Sequence, residues 1–195
     1  MIAIVDYGAG NISSAKKALD HLGAAAKVTT DPIAIAAAEK LLVPGVGHFS
    51  RCQSLNTRLR EAVLESIAAG KPFLGICVGM QWLFDGSTES PDTPGAGLFS
   101  GQCARFPAAV KSPHVGWNQI DLRGNSRLLQ GVPDSAFVYY THSYRAPVVQ
   151  QTVAATEYGG AFSAAVERDN IFGVQFHPEK SGLAGLKILE NFCAL

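Results

Sequence analysis

The run Phe73-Leu74-Gly75-Ile76-Cys77-Val78-Gly79-Met80-Gln81 is an apolar strand passing through Gly-x-Cys-x-Gly into a helix. This is the form of a nucleophile elbow. Flanking glycines allow the tight turn, and a cysteine at a helix start meets open N–H groups and the positive dipole end, which favour the reactive thiolate. On these residues alone, Cys77 as a small buried hydrophobe is an equal reading. A base is offered by Gly173-Val174-Gln175-Phe176-His177-Pro178-Glu179-Lys180. Residues i and i+2 of an extended chain share a side, so His177 and Glu179 project together, and Pro178 marks where the strand leaves its sheet. Glu179 can then hold one ring nitrogen while the other faces Cys77, the arrangement of a Cys-His-acid triad. A lone histidine is usually structural; His-Pro-Glu together with a cysteine elbow makes that reading the weaker one. The third element is Leu41-Leu42-Val43-Pro44-Gly45-Val46-Gly47-His48-Phe49, a buried strand breaking into a glycine-rich turn. Acyl transfer needs N–H donors aimed at a developing oxyanion. Gly45, Val46 and Gly47, with the amide of Val78, can supply them, although most Pro-Gly turns are only turns.

Such groups work only if a scaffold brings them to one edge. The first half alternates short apolar runs with helical patterns: Ile2 to Val5, Asn11 to Leu22, Ala26 to Thr29, Ile33 to Ala38, Lys40 to Val43, Asn56 to Ala69, Phe73 to Ile76, Val78 to Phe84. This order predicts a parallel sheet with helices on its faces. In the helix expected over 56–69, Leu59, Val63, Leu64 and Ile67 recur at spacings of three and four before Gly70. A loop rich in Gly, Ser, Thr, Asp and Pro follows between Asp85 and Gly97. Strands are then expected at Gln102 to Phe106, Trp117 to Leu122, Phe137 to Tyr140, Val153 to Glu157, Ala161 to Glu167 and Ile171 to Phe176, with a hairpin turn at Arg168-Asp169-Asn170. A closing helix carries Leu186, Ile188, Leu189 and Phe192. The expectation is one α/β domain over residues 1–195: a three-layer fold, mostly parallel in its central sheet, with antiparallel strands in the C-terminal half.

The 195 residues hold 16 Lys+Arg and 16 Asp+Glu, 47% hydrophobic and only 16% charged. Zero net charge argues against partners bound through phosphates, so nucleic acid and anionic membranes fall away. The charged fraction is below the roughly 25% of ordinary soluble domains, as expected where a neutral face docks onto another protein. The four cysteines, 52, 77, 103 and 193, are spaced neither as a zinc site nor as a secreted disulfide scaffold, and no cofactor or metal is called for. Met1-Ile2-Ala3-Ile4-Val5-Asp6 reads as a first strand rather than a signal peptide, and no apolar run reaches the ~18 residues of a membrane span. A reducing cytoplasm is the expected location.

The three motifs, in their order along the chain, resemble the triad (class I) glutamine amidotransferases over essentially the whole sequence. Within that family, adding Asp6-Tyr7-Gly8-Ala9-Gly10-Asn11-Ile12, His114-Val115-Gly116-Trp117-Asn118 and Tyr140-Thr141-His142-Ser143-Tyr144 makes the set similar to the glutaminases serving imidazole glycerol phosphate synthase, in histidine biosynthesis. Departures are small: Val115 where Met or Ile is expected, and Ala96 in the Gly95-Ala96-Gly97 turn. The resemblance implies hydrolysis of L-glutamine to glutamate and ammonia, with Cys77 as nucleophile, His177 moving protons and Glu179 orienting it. It also implies that Gln81 and Glu89 grip the amino-acid end of glutamine while His142, Ser143 and Tyr144 close the other side. Glu89 lies in the variable loop, where most acids are merely solvated. A (β/α)8-barrel cyclase subunit is the implied partner in a heterodimer, taking up the ammonia to make imidazole glycerol phosphate and aminoimidazole-carboxamide ribotide. Asn11, Trp117 and Lys180 match its docking face; their bland counterparts are a helix cap, a core tryptophan and a surface lysine.

Other readings share parts of this pattern. A glutaminase of pyridoxal phosphate or anthranilate synthesis would keep the triad, but Gly116-Trp117-Asn118 and Pro44-Gly45-Val46-Gly47 count against it. A silent regulatory subunit would not need the complete Cys77, His177 and Glu179, and nothing specifies the groove of a thiol peptidase. Two glycines around Val46 also suggest oxyanion donors that a liganded partner must align, hence low glutaminase activity in isolation. If so, the neutral face belongs at the carboxyl edge of the sheet, where Asn11, Trp117 and Lys180 surround the glutaminase mouth.

Overall fold

A computed structural model describes residues 1–195. Its strands and helices are β1 (Ile2–Val5), α1 (Ile12–His21), β2 (Ala26–Thr29), α2 (Pro32–Ala37), β3 (Lys40–Gly45), α3 (Gln53–Asn56), α4 (Arg60–Ala68), β4 (Phe73–Cys77), α5 (Val78–Gln81), β5 (Gly86–Ser87) and β6 (Gln102–Arg105). The chain continues through β7 (His114–Gln119), β8 (Asp121–Leu122), β9 (Phe137–His142), β10 (Tyr144–Arg145), β11 (Thr152–Glu157), β12 (Ala161–Arg168), β13 (Ile171–Val174) and α6 (Gly182–Ala194).

An eight-stranded sheet runs β2-β1-β3-β4-β13-β12-β11-β8. Its β2, β1, β3, β4 and β13 pair in parallel; β12, β11 and β8 are antiparallel additions. The inner parallel strands are buried on both faces, which is why β1, β4 and β13 read as unbroken apolar runs rather than alternating ones, whereas edge strand β2 is partly exposed. Chain order reverses between β1→β2 and β2→β3, so right-handed crossovers place α1 on one face and α2 and α4 on the other. The packing agrees: α1 meets α6, and α2 meets α4. Three layers result, as the alternating pattern requires. Two small sheets, β10-β6-β5 and β7-β9, lie outside the main one. No helix is long and apolar enough to cross a membrane.

Three predicted boundaries fail for identifiable reasons. The helix expected over 56–69 is divided between Asn56 and Arg60, and the Asn56 side chain anchors the break: its Nδ2 donates to the Pro94 carbonyl at 2.6 Å and its Oδ1 accepts from Trp82 Nε1 and, within the turn, Arg60 Nη1, both at 2.9 Å. Thr57 then leaves helical geometry, with φ −111° and ψ −89°. The helix expected over 78–84 stops at Gln81: the Leu83 and Phe84 amides bond only three residues back, to the Met80 and Gln81 carbonyls, while the Trp82, Leu83 and Phe84 carbonyls accept from Ala96, Leu98 and Gly97. The strand expected over 117–122 starts earlier, at His114, and breaks at Ile120, which turns fully into the core while Asp121 and Leu122 join the main sheet beside β11.

Candidate active site

Three neighbouring strands end together. Gly45, last in β3, pairs with Cys77, last in β4, and β13 on the other side of β4 ends three residues before His177. The carboxyl edge of a parallel sheet therefore gathers the three sequence motifs, where open α/β sheets hold their ligands.

Cys77 sits at φ +54° and ψ −109°, a corner that side chains avoid. Holding a non-glycine residue there costs about 1–3 kcal/mol, tolerated only where surrounding packing enforces it. The enforcement is visible beneath it. A Cβ on Gly79 would strike the Val43 carbonyl of β3, and one on Gly75 would strike the Gly79 carbonyl. Both glycines let the helix lie directly on the sheet, and the bend lifts Cys77 to the wall of a cavity.

His177 Nδ1 lies 2.8 Å from Glu179 Oε1, with the two side chains only 1% and 2% exposed. That bond fixes the ring, leaving the buried Nε2 without a hydrogen-bond partner of its own and near enough to the Cys77 sulfur to feel its charge. Burial alone would lower the histidine; the charge and hydrogen bond of Cys77, helped by Glu179, outweigh it and raise His177 to about 10. A protonated imidazolium at His177 is the state this geometry favours. The turn is also pinned from outside: His177 N donates to the Tyr139 carbonyl at 2.9 Å, and Ser181 Oγ donates to the His177 carbonyl at 2.6 Å while accepting from Tyr139 N at 2.9 Å. The other sulfurs are differently placed. Burial pushes Cys52 up to about 12 and raises Cys103 and Cys193 as well, so none of these is poised as a thiolate.

The cavity measures about 250 Å³, suited to a molecule of amino-acid size, and Gly47, Cys77, Val78, Gln81, Glu89 and His142–Tyr144 line most of it. Pro113 and Thr141 complete the wall. Glu89, whose loop position left its role undecided, is held in place: Oε2 accepts from Phe49 N at 2.7 Å. Gly47 and Val78 flank Cys77 on the cavity wall, whereas Gly45 is buried in β3 and Val46 only half-buried. Val78 opens α5, so its amide is one of the first-turn donors that a helix leaves unpaired. A larger hollow of about 470 Å³ lies around Gly124–Val132, but its charged groups Arg127 and Glu167 pair with each other at 3.1 Å. It has neither a cysteine nor a histidine.

Beside the cavity, β7 and β9 form a ribbon whose inner side carries His114, Tyr140 and His142. Burial pushes His114 down to about 4 and His142 to about 3, so both rings are neutral. The outer side is largely apolar: Val115, Trp117 and Phe137, with Leu183 of neighbouring α6, are 57%, 54%, 56% and 86% exposed, beside the polar Gln119 and Thr141. Trp117 therefore is not core. It packs edge-on against Tyr139 at 6.0 Å, and Lys180 Nζ sits 5.6 Å over the same ring. Asn11 occupies the N-cap position of α1, but its side chain makes no capping bond.

Sequence reasoning gave no role to Gln175, His114 or Thr141. Gln175 had left a signal, a fully buried amide inside the otherwise apolar run Ile171–Phe176.

Comparison with known proteins follows the same lines. The chain matches the family "Glutamine amidotransferase class-I" over residues 3–195. It is 47% identical over 98% of both chains to the imidazole glycerol phosphate synthase subunit HisH of Thermococcus kodakarensis. It is 49% identical to the protein of the same name from Methanothermobacter thermautotrophicus, across 98% of this chain and 97% of that one. Among solved structures, PurLQS from Thermotoga maritima superposes with a TM-score of 0.77 at 19% identity, covering 98% of this chain and 96% of the other, a likeness of fold.

Proposed function

The chain belongs to the class-I glutamine amidotransferases, and from that premise we propose that it is the glutaminase subunit of imidazole glycerol phosphate synthase, acting in histidine biosynthesis. The observation that carries the chemistry is the buried His177–Glu179 pair set against Cys77 at a strained elbow on the wall of an amino-acid-sized cavity.

In this reading the Cys77 thiolate attacks the side-chain amide carbon of glutamine, and the amides of Val78, Val46 and Gly47 with the turn at Gly45 stabilise the oxyanion. The His177 imidazolium gives its proton to the leaving nitrogen, and ammonia departs from a thioester. Water then adds to the thioester carbon while neutral His177 takes its proton, and collapse expels the Cys77 thiolate and glutamate. Glu179 holds the ring throughout. Gln81 and Glu89 receive the substrate's ammonium: Glu89 still offers a carboxylate oxygen, and both N–H groups of Gln81 are already used, leaving its carbonyl for a donor. His142, Ser143 and Tyr144 form the opposite wall.

The partner in this reading is a (β/α)8-barrel cyclase subunit, forming a heterodimer and consuming the ammonia. The largely apolar outer face of the β7–β9 ribbon supports this, with Trp117 exposed on it and Lys180 over Tyr139, while Asn11 joins them by the family resemblance alone. Thr141 belongs both to that face and to the cavity wall, so a protein seated on the ribbon would close the mouth against water. The test is Cys77→Ala assembled with a cyclase subunit. Glutamine-dependent synthesis should vanish while synthesis from added ammonium salt persists; loss of both, or of neither, would refute this division of labour.

A further inference from the structure

Gln175 is completely buried between β13 and His177, on a strand whose neighbours are apolar. A primary amide there must find partners for its polar atoms or destabilise the fold. It has two: Oε1 accepts from Gln81 Nε2 at 3.0 Å, and Nε2 donates to Cys77 Sγ at 3.6 Å.

The orientation of that amide follows from groups farther out. Gln81 Nε2 also lies 2.8 Å from the Tyr144 carbonyl, which can only accept, so the Gln81 atom must be the nitrogen. Its second hydrogen meets Gln175, whose facing atom must then be oxygen. The Gln175 N–H is left aimed at sulfur. The Tyr144 carbonyl is itself fixed by His142 Nδ1 at 2.8 Å, and a protonated Nδ1 on a neutral ring obliges His142 Nε2 to accept from His114 Nδ1 at 3.1 Å. Asn118 Nδ2 closes the far end on His114 Nε2 at 3.3 Å. Six hydrogen bonds thus run from β7 to the nucleophile with every donor direction dictated.

We propose, building on the glutaminase reading, that Gln175 is a positioning residue for Cys77: its N–H holds the sulfur toward the cavity and stabilises it while it carries negative charge. The sulfur is anionic before attack and again when expelled from the thioester, and neutral in between. A donor aimed at it raises the fraction of Cys77 present as thiolate and stabilises the sulfur as it leaves the thioester, so its removal slows turnover more than it weakens substrate binding.

Gln175→Glu tests this in the full chain, because the carboxylate keeps an oxygen for Gln81 but has no N–H for sulfur. Assayed with the cyclase subunit, kcat should fall at least about tenfold, the low end for a lost hydrogen bond to a charged group, with KM for glutamine within about threefold of wild type. In the chain alone, alkylation of Cys77 by iodoacetamide should slow and its pH–rate profile move toward higher pH. The charge of the new carboxylate would move that profile by itself, so Gln175→Met, which fills similar volume with neither polar atom nor charge, carries the deciding alkylation comparison. A merely structural residue would leave the profile of Gln175→Met in place, so an unmoved profile there overturns the proposal, as does an unchanged kcat in Gln175→Glu. Alkylation needs no glutamine: a wild-type complex without glutaminase activity would defeat the functional reading, and the alkylation profile would still decide whether Gln175 holds the sulfur.

Discussion

Replacing His142 by glutamine should change how stability depends on pH, by an amount set by its burial. An unfolded histidine titrates near 6.5, whereas burial first, against a favourable bond to the Tyr144 carbonyl, pushes His142 down to about 3 in the fold. The folded value is the lower one, so the stability contributed by keeping this ring neutral is complete above about pH 6.5 and is lost as pH falls toward 3. Each such proton tilts the stability curve by about 1.4 kcal/mol per pH unit, and by pH 5 the accumulated loss is about 2 kcal/mol for this one ring. That figure depends only on the folded value lying well below 5. The amide introduced by His142→Gln can still accept from His114 and donate to Tyr144, but it cannot titrate. Urea unfolding of both proteins at pH 8, 6, 5 and 4.5, extrapolated linearly to water, should give curves that converge by about 2 kcal/mol from pH 8 to pH 5. Parallel curves would mean that His142 gains its proton in the fold as readily as out of it, and the neutral chain from Asn118 to Cys77 would be wrong. His177 acts in the opposite sense: its folded value is raised to about 10, so its contribution is complete below about pH 6.5 and is lost as pH climbs toward 10.

Trp117→Ala should weaken binding of the cyclase subunit at least about thirtyfold, as expected for a central tryptophan at an interface, while leaving the unfolding midpoint nearly unchanged; titration calorimetry and a thermal melt check the two halves. Gly45→Ala should destabilise the chain by about 1–3 kcal/mol in urea unfolding, the usual range for overpacking. The added Cβ would lie 2.6 Å from Gly79 N, 2.6 Å from the Tyr7 hydroxyl and 2.7 Å from Val78 Cβ, and two of those three atoms cannot swing away. An Ala variant of wild-type stability would show that β3 and α5 are less closely packed than this.

The chemistry was legible because each motif declares a backbone event as well as a reactive group. Gly75 and Gly79 announce a bend that only one packing satisfies, and Pro178 announces where β13 must leave its sheet. Boundaries were less legible wherever distant residues compete for local hydrogen bonds. The amides of Ala96, Gly97 and Leu98 draw the Trp82–Phe84 segment against a distant loop, where the Leu83 and Phe84 amides tighten to bonds three residues back, and no periodicity in residues 78–84 records that pull. Glu89 shows the same limit: its charge is visible in the sequence, but the Phe49 amide that pins it lies 40 positions away. Exposure of Trp117 was equally hidden, because alternation in β7 says which residues share a side without saying which side meets water.

Strand β9 ties two requirements to one parity. Phe137, Tyr139 and Thr141 face outward, and Val138, Tyr140 and His142 face inward. Since side chains alternate with a period of two, a one-residue deletion or insertion within these six positions would exchange the sets along part of the strand. It would bury the tyrosine that supports Trp117 and Lys180 and expose the imidazole that fixes Tyr144. Single substitutions can adjust either side separately, but a length change in this segment strikes both together. Sequence drift here should therefore be confined to exchanges at fixed length.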